Sequence, residues 1–185
     1  CWSLVGSEMC IRDSSQGASF FDENITELII EISKKRNFEV IQQISNINNL
    51  SSIKNKYDKS NINYKFIEFT NDSHELYNGI DLAITRGGAS TLSELSFLNI
   101  PFISIPLPSA RDNHQFYNSE FYYKKNCCWL INQKEFEFKK FSKMIFEIFN
   151  DYQSYYEKFK NLEEITKKNT WNNINNKIIE IIDEN

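Results

Sequence analysis

Residues 80–98 read IDLAITRGGASTLSELSFL and hold the clearest signal of the fold class. They begin with an apolar run of strand length, after which Leu92 and Leu95 recur at helical spacing. Gly87 and Gly88 therefore lie where a strand ends and a helix begins. A strand that leads directly into a helix is the unit from which parallel α/β sheets are built.

The same junction is suited to an anion. The first backbone N–H groups of a helix have no partner inside the helix, and the helix dipole adds positive charge behind them. Because glycine lets an anion come close to the backbone, Gly88, Ala89, Ser90 and Thr91 are expected to bind a phosphate or diphosphate. The alternative interpretation is a plain connection without a ligand.

Glu94 shares a helical face with Ser90 and Thr91, since it lies four and three residues after them. Its carboxylate is positioned to accept hydrogen bonds from a ribose diol while the helix start holds phosphate. The alternative for Glu94 is a solvated residue on an exposed helix face.

Two motifs at a fixed spacing identify a family. Arg86-Gly-Gly-Ala-Ser-Thr-Leu-Ser-Glu94 is followed by the run Ile103-Ser-Ile-Pro-Leu-Pro108 and then by Asp112-Asn-His-Gln-Phe-Tyr-Asn118. The first and last of these resemble two helix starts in the donor-binding half of the MurG family of bacterial GT-B glycosyltransferases. In that family, Arg-x-Gly-Ala-x-Thr-x-x-Glu and Asp-x-x-Gln-x-x-Asn both belong to the nucleotide-sugar site.

The resemblance implies that Gln115 and Asn118 contact the sugar hydroxyls. Alternatively, Asp112 caps this helix and its polar neighbours are solvated. Arg86 either neutralises phosphate or pairs with an acid. His114 is not expected to be a general base, and no residue of the chain is predicted to be catalytic.

A third segment resembles the family near the start of the chain. Ser15-Gln-Gly-Ala18 is similar to the family's Gly-Gly-Ser-Gln-Gly-Ala loop, which faces the diphosphate sugar, so Ser15 and Gln16 are expected to bind the substrate. The two leading glycines are Asp13 and Ser14 here, which are bulkier residues at a backbone anion nest. Thr70 follows a predicted strand, where the family reads the uracil edge through backbone groups.

The first 14 residues differ in composition from the rest, which is rich in Asn, Lys, Ile, Phe and Tyr. They resemble a translated sequencing-adapter tail, and they lack the basic start and apolar core of a signal peptide. We therefore expect residues 1–14 to be a non-native leader on a truncated gene product. Residues 15–185 are predicted to be a donor-binding domain whose N-terminal acceptor partner is absent.

Composition narrows the function. The chain has 185 residues, 41% of them hydrophobic, and a net charge of −4. Its lysines are scattered among acids, so a nucleic-acid surface is not expected. No run approaches the roughly 20 apolar residues of a membrane span. The four cysteines form neither a disulfide framework nor a metal quartet, which predicts a cytoplasmic protein with no metal or other cofactor.

Strand and helix patterns alternate along the chain. This alternation predicts right-handed parallel βαβ units and a doubly wound, mostly parallel Rossmann-like sheet with C-terminal helices, one half of a GT-B fold. The predicted strands are 38–44, 64–69, 82–85, 102–105 and 127–131. The predicted helices are 20–35, 48–58, 73–77, 89–98, 113–125, 135–149, 152–168 and 171–183.

The resemblance implies inverting transfer of N-acetylglucosamine from UDP-N-acetylglucosamine to a lipid-linked muramyl-pentapeptide at the cytoplasmic face of the inner membrane. The acceptor and the membrane are expected to contact only the absent domain. One alternative is a UDP-sugar hydrolase of nonulosonic acid synthesis, against which the Asp-x-x-Gln-x-x-Asn segment argues. Another is a noncatalytic sugar-nucleotide binding subunit.

Overall fold

The computed structural model describes residues 8–12, 20–44, 47–67 and 77–168. Its strands are β1 (Glu8–Arg12), β2 (Glu39–Gln43), β3 (Asn63–Ile67), β4 (Ile80–Thr85), β5 (Phe102–Ser104) and β6 (Cys128–Leu130). These six form one sheet in the order β3-β2-β1-β4-β5-β6, and every neighbouring pair is parallel. The predicted doubly wound parallel sheet is confirmed.

Six α-helices of the described residues cover the sheet. They are α1 (Thr26–Ser33), α2 (Ile47–Lys59), α3 (Ala89–Phe97), α4 (His114–Lys124), α5 (Phe138–Asn150) and α6 (Tyr152–Lys168). A π-helical turn, Phe21–Ile25, leads into α1, and short 3-10 turns precede α4 and α5. The last of these turns explains why α5 begins three residues later than the sequence pattern predicts.

The helices divide between the two faces of the sheet. On one face, apolar residues of α1, α2 and α5 form a single buried cluster with Met9, Leu82 and Ile103. On the other face, residues of α3 and α6 pack with Cys10 and Phe102. Both faces of the central strands are therefore buried, as is usual for parallel sheets.

Strand β1 lies in the middle of this sheet, between β2 and β4. Met9, Cys10 and Ile11 have no exposed surface, because they supply the apolar residues that a central strand requires. The sheet thus includes part of the segment that composition assigns to a leader. The foreign origin of residues 1–14 stays a prediction.

The strand order changes direction between β1 and β4, since β2 and β3 lie on one side and β5 and β6 on the other. Ligands of open α/β sheets bind beyond the carboxyl ends of the strands at this switch point. A ligand is therefore expected near the residues that follow β1 and β4. None of the described helices is long and apolar enough to cross a membrane.

Candidate functional site

The β4–α3 junction exposes a helix N-terminus. Gly88 is the N-cap residue, with φ −68° and ψ 130°, and within the described part of the chain no side chain caps the helix. The first backbone hydrogen bond of the helix runs from Leu92 N–H to the Gly88 carbonyl at 3.0 Å. The N–H groups of residues 89–91 precede that bond, so they are the unpaired donors of the first turn.

The predicted anion-binding residues meet at this point. Ala89 and Ser90 are exposed and Thr91 is half-buried. The structure thus places these three residues on an open surface at the carboxyl end of β4. A free helix start of this kind binds phosphate groups through backbone N–H donors and the helix dipole.

The two glycines have different surroundings. A Cβ atom on Gly87 would lie 2.2 Å from the Gln115 carbonyl oxygen and 2.6 Å from Ser119 Oγ. A Cβ on Gly88 would meet only Thr91 Oγ1, at 3.9 Å. Gly87 is therefore required by the close approach of α4, whereas the protein itself does not require glycine at position 88.

Gln115 joins two loops at the start of α4. Its side-chain oxygen accepts hydrogen bonds from Gly87 N–H at 3.3 Å and from Leu107 N–H at 3.0 Å. Asn118 donates from Nδ2 to the Gly87 carbonyl at 3.0 Å. Within the described ranges, the Gln115 amide nitrogen and the Asn118 side-chain oxygen have no protein partner, so both are available to a ligand.

The alternative that Asp112 caps α4 is not what the structure has. Asn113 is the N-cap residue, and no side chain forms a capping hydrogen bond there. Asp112 and Asn113 both adopt left-handed backbone conformations, each with φ 53°. The Asp112 carboxylate lies 3.4 Å from Arg111 Nε in a fully solvated pair. The first turns of α4 contact the β4–α3 junction through Gln115 and Asn118.

Glu94 is held by a residue that the sequence reasoning missed. Arg12, the last residue of β1, donates from Nη1 to Glu94 Oε2 at 2.6 Å and also to the Tyr77 hydroxyl. The Tyr77 ring lies 5.7 Å from the guanidinium carbon. Burial lowers the pKa of Arg12, but Tyr77 and Glu94 outweigh that effect and leave the pKa above its ordinary value. Arg12 is therefore a cation beside the expected ribose position.

Arg86 is buried behind the junction. Its Nη1 donates to the Ile105 carbonyl at 3.1 Å and to Gln133 Oε1 at 2.5 Å. The guanidinium carbon also lies 4.5 Å from the centre of the Phe21 ring. These contacts favour a role in fixing the loop after β4 to the turn after β6. Phosphate contact and pairing with an acid, the two roles expected from sequence, both stay predictions.

A groove of about 260 Å³ lies beside the start of α4. Its walls come from the Pro-Leu-Pro turn after β5, from α4 and from the loop after β6, and they include Leu107, Phe116, Asn132 and Lys134. The groove combines apolar walls with polar groups, as ligand pockets commonly do. It adjoins Gln115 through Leu107, so it extends the same site.

The remaining candidates add little. His114 is exposed, and its Nδ1 lies 2.7 Å from the Arg111 carbonyl oxygen. Ser15, Gln16 and Thr70 lie outside the described residues. Within the described part of the chain, no group of three or more His, Cys, Asp or Glu side chains could hold a metal ion.

The chain matches known proteins along nearly its whole length. Residues 14–175 match the family described as the glycosyltransferase family 28 C-terminal domain. A relative from Pelagibacter ubique (strain HTCC1062), named UDP-N-acetylglucosamine--N-acetylmuramyl-(pentapeptide) pyrophosphoryl-undecaprenol N-acetylglucosamine transferase, is 42% identical over 183 residues. The alignment covers 99% of this chain and 51% of that relative. A protein of the same name from Rickettsia bellii (strain RML369-C) is 38% identical over 143 residues, which are 76% of this chain and 40% of that protein.

Solved structures agree on the fold. The crystal structure of Acinetobacter baumannii MurG superposes with a TM-score of 0.73 at 20% identity, covering 85% of this chain and 47% of that one. The UDP-GlcNAc 2-epimerase from Neisseria meningitidis, solved with UDP-GlcNAc bound, gives a TM-score of 0.66 at 15% identity, covering 98% and 45%. The chain spans about half the length of the Pelagibacter relative. Sequence and fold agree, and this chain belongs to the glycosyltransferase family 28 C-terminal domain family.

Proposed function

We propose that this chain supplies the donor site of an inverting hexosyltransferase. The donor is UDP-N-acetylglucosamine, and the acceptor is the 4-hydroxyl of the muramyl sugar on a lipid-linked muramyl-pentapeptide. The relatives from Pelagibacter and Rickettsia carry the name of that transferase. The acceptor and the membrane would contact the other half of the enzyme, at the cytoplasmic face of the inner membrane.

The uncapped start of α3, at the switch point of the sheet, is the main support for this function. It offers the backbone N–H groups of Ala89, Ser90 and Thr91 to the diphosphate. Glu94 is one helical turn further along and would accept the ribose hydroxyls. When the glycosidic bond breaks, negative charge develops on the departing UDP, and fixed N–H donors and the helix dipole would stabilise it.

Gln115 and Asn118 would bind the sugar. Because the Gln115 oxygen is already occupied by two backbone N–H groups, its amide nitrogen would donate to a sugar hydroxyl. Asn118 donates to Gly87, so its oxygen would accept from a sugar hydroxyl. We include Gly88 as the point of closest approach of phosphate. We also keep Ser15, Gln16, Thr70 and Arg86 as proposed substrate-binding residues of the same site.

Titration calorimetry of the chain with UDP, UDP-N-acetylglucosamine and NAD tests the proposal. The described residues form an anion cradle at the start of α3, and the Gly-x-Gly-x-x-Gly dinucleotide fingerprint is missing from the sequence. We expect both uridine nucleotides to bind more tightly than NAD. Tighter binding of NAD would contradict the proposed function. Release of free UDP from UDP-N-acetylglucosamine by the chain alone would favour the sugar-hydrolase alternative.

A further inference from the structure

Arg12 occupies the carboxylate that the proposed function assigns to ribose. Its Nη1 lies 2.6 Å from Glu94 Oε2, and the two side chains are 16% and 32% exposed. A ribose presents two neighbouring hydroxyls, and a carboxylate can accept from both of them through its two oxygens. With Arg12 in place, one oxygen of Glu94 is engaged and its negative charge is matched by a cation.

Arg12 is held firmly enough for this to affect a ligand. The same Nη1 also donates to the Tyr77 hydroxyl, and the Tyr77 ring lies beside the guanidinium. Residues 12 and 85 are paired in the register of β1 and β4, so the arginine backbone is fixed at the switch point of the sheet. A charge-assisted, partly buried hydrogen bond is stronger than a solvated one. Donor binding would have to weaken it.

We propose that the Arg12 side chain competes with the ribose of the donor for Glu94 and so lowers the affinity of this chain for uridine nucleotides. This inference rests on the proposed function. An uncharged residue at position 12 would leave both oxygens of Glu94 for the diol. With arginine at position 12, the side chain at the end of β1 competes with the nucleotide for Glu94.

The test is a double-mutant cycle measured by calorimetry with UDP, using the full chain. Arg12→Met should bind UDP about threefold to tenfold more tightly, because one competing hydrogen bond is removed. Arg12→Gln, a second neutral variant, should change affinity in the same direction. In a Glu94→Ala chain, the added Arg12→Met should change UDP affinity by less than about twofold, since no carboxylate remains to be released.

Arg36→Met is the matched control. It removes the same charge, and Arg36 bonds to Phe149 and Asn150 on the opposite side of the fold from the carboxyl end of β1. Its affinity for UDP should equal that of the unmodified chain. Thermal unfolding of each variant reports whether it is folded.

The outcomes separate the two claims. If no folded variant binds UDP, the proposed function fails. If UDP binds but Arg12→Met and Arg12→Gln bind it equally well or more weakly, the competition is overturned and the donor site stands. The competition is also overturned if the gain persists in the Glu94→Ala chain.

Discussion

Neighbouring glycines at the β4–α3 junction are constrained by different partners. The backbone of α4 comes so close to Gly87 that a methyl group would overlap the Gln115 carbonyl. Gly88 has an extended backbone that any residue can adopt, and its missing side chain leaves open space. Position 87 is therefore a packing requirement, and position 88 is where a ligand would impose one.

Gly87→Ala and Gly88→Ala form a matched pair for this distinction. Gly87→Ala should lower the free energy of unfolding by about 1–3 kcal/mol, because α4 must move to admit the methyl group. Gly88→Ala should unfold at the temperature of the unmodified chain but bind UDP more weakly, since its Cβ would meet the phosphate. Thermal melts and calorimetry measure both. Equal stability of the two variants would contradict the close packing at Gly87.

The Glu94 carboxylate is expected to bind the ribose of the donor. If it accepts ribose hydroxyls, Glu94→Ala removes charge-assisted hydrogen bonds worth about 1.5–3 kcal/mol, or roughly tenfold to a hundredfold in affinity for UDP. Glu94→Gln should lose less, because an amide oxygen still accepts. Glu163→Ala on α6 is a control, since among the described residues that carboxylate pairs with the solvated Lys160 and Lys167 of its own helix. Unchanged UDP affinity in folded Glu94→Ala would return Glu94 to a solvated helix residue.

Helix α4 connects two loops through side-chain hydrogen bonds. Through Gln115 and Asn118 it binds the backbone after β4 and after β5. Behind them, Ser119 bonds to Ser104 on β5 at 2.7 Å. One face of the first turns of α4 therefore sets the distance between the start of α3, where we propose that phosphate binds, and the loop that borders the groove.

Variants of Gln115 distinguish its structural hydrogen bonds to the two loops from its proposed contact with the sugar. Gln115→Met leaves two N–H groups without their acceptor and should cost about 1–3 kcal/mol of stability. Gln115→Glu keeps the acceptor but replaces the amide nitrogen that would donate to the sugar. Gln115→Glu should therefore stay close to the unmodified chain in stability and bind UDP, yet lose affinity for UDP-N-acetylglucosamine. Gln153→Met, on the solvated face of α6, is the control for stability. A Gln115→Glu chain that prefers the sugar nucleotide as strongly as before would contradict the sugar contact.

Strands and helices could be predicted from sequence where the residues that specify them lie close together in the chain. The β4–α3 and β5–α4 connections combine an apolar run, a turn and a helical period within about 20 residues, and their predicted bounds differ from the observed ones by one or two residues. The contacts of Arg86 could not be predicted, because Gln133 lies 47 residues further along. Arg12 was missed because composition set its segment apart, although Met9-Cys-Ile11 has the apolar pattern of a strand.

At the scale of the whole molecule, we expect this chain to bind donor without transferring sugar. Transfer needs an acceptor hydroxyl held in line with the anomeric carbon and a base for its proton, and positioning supplies a large part of such a rate. The described residues offer no group with a claim to that base near the α3 start, since His114 faces solvent. A transfer assay with a lipid-linked muramyl acceptor should therefore detect no disaccharide lipid from the 185-residue chain alone.

Adding the N-terminal half of a relative such as the Pelagibacter transferase, fused or in trans, should restore transfer. The matched control is the same N-terminal half combined with the Glu94→Ala chain, which should be slower at low donor concentration because donor affinity is reduced. Efficient transfer by the isolated chain would overturn the division of labour between two halves.

The central place of β1 has a consequence for the order in which the molecule folds. Its Glu8 N–H bonds to the Asp81 carboxylate, 73 residues away, and its whole length pairs with β4. Long-range parallel pairing slows folding, so the edges of β2 and β4 stay open until the first strand docks between them. Open strand edges pair readily with other chains. The yield of refolded protein should therefore fall steeply as protein concentration rises. Once residues 8–12 have docked, they cover the edges of β2 and β4 and prevent those strands from pairing with a neighbouring molecule.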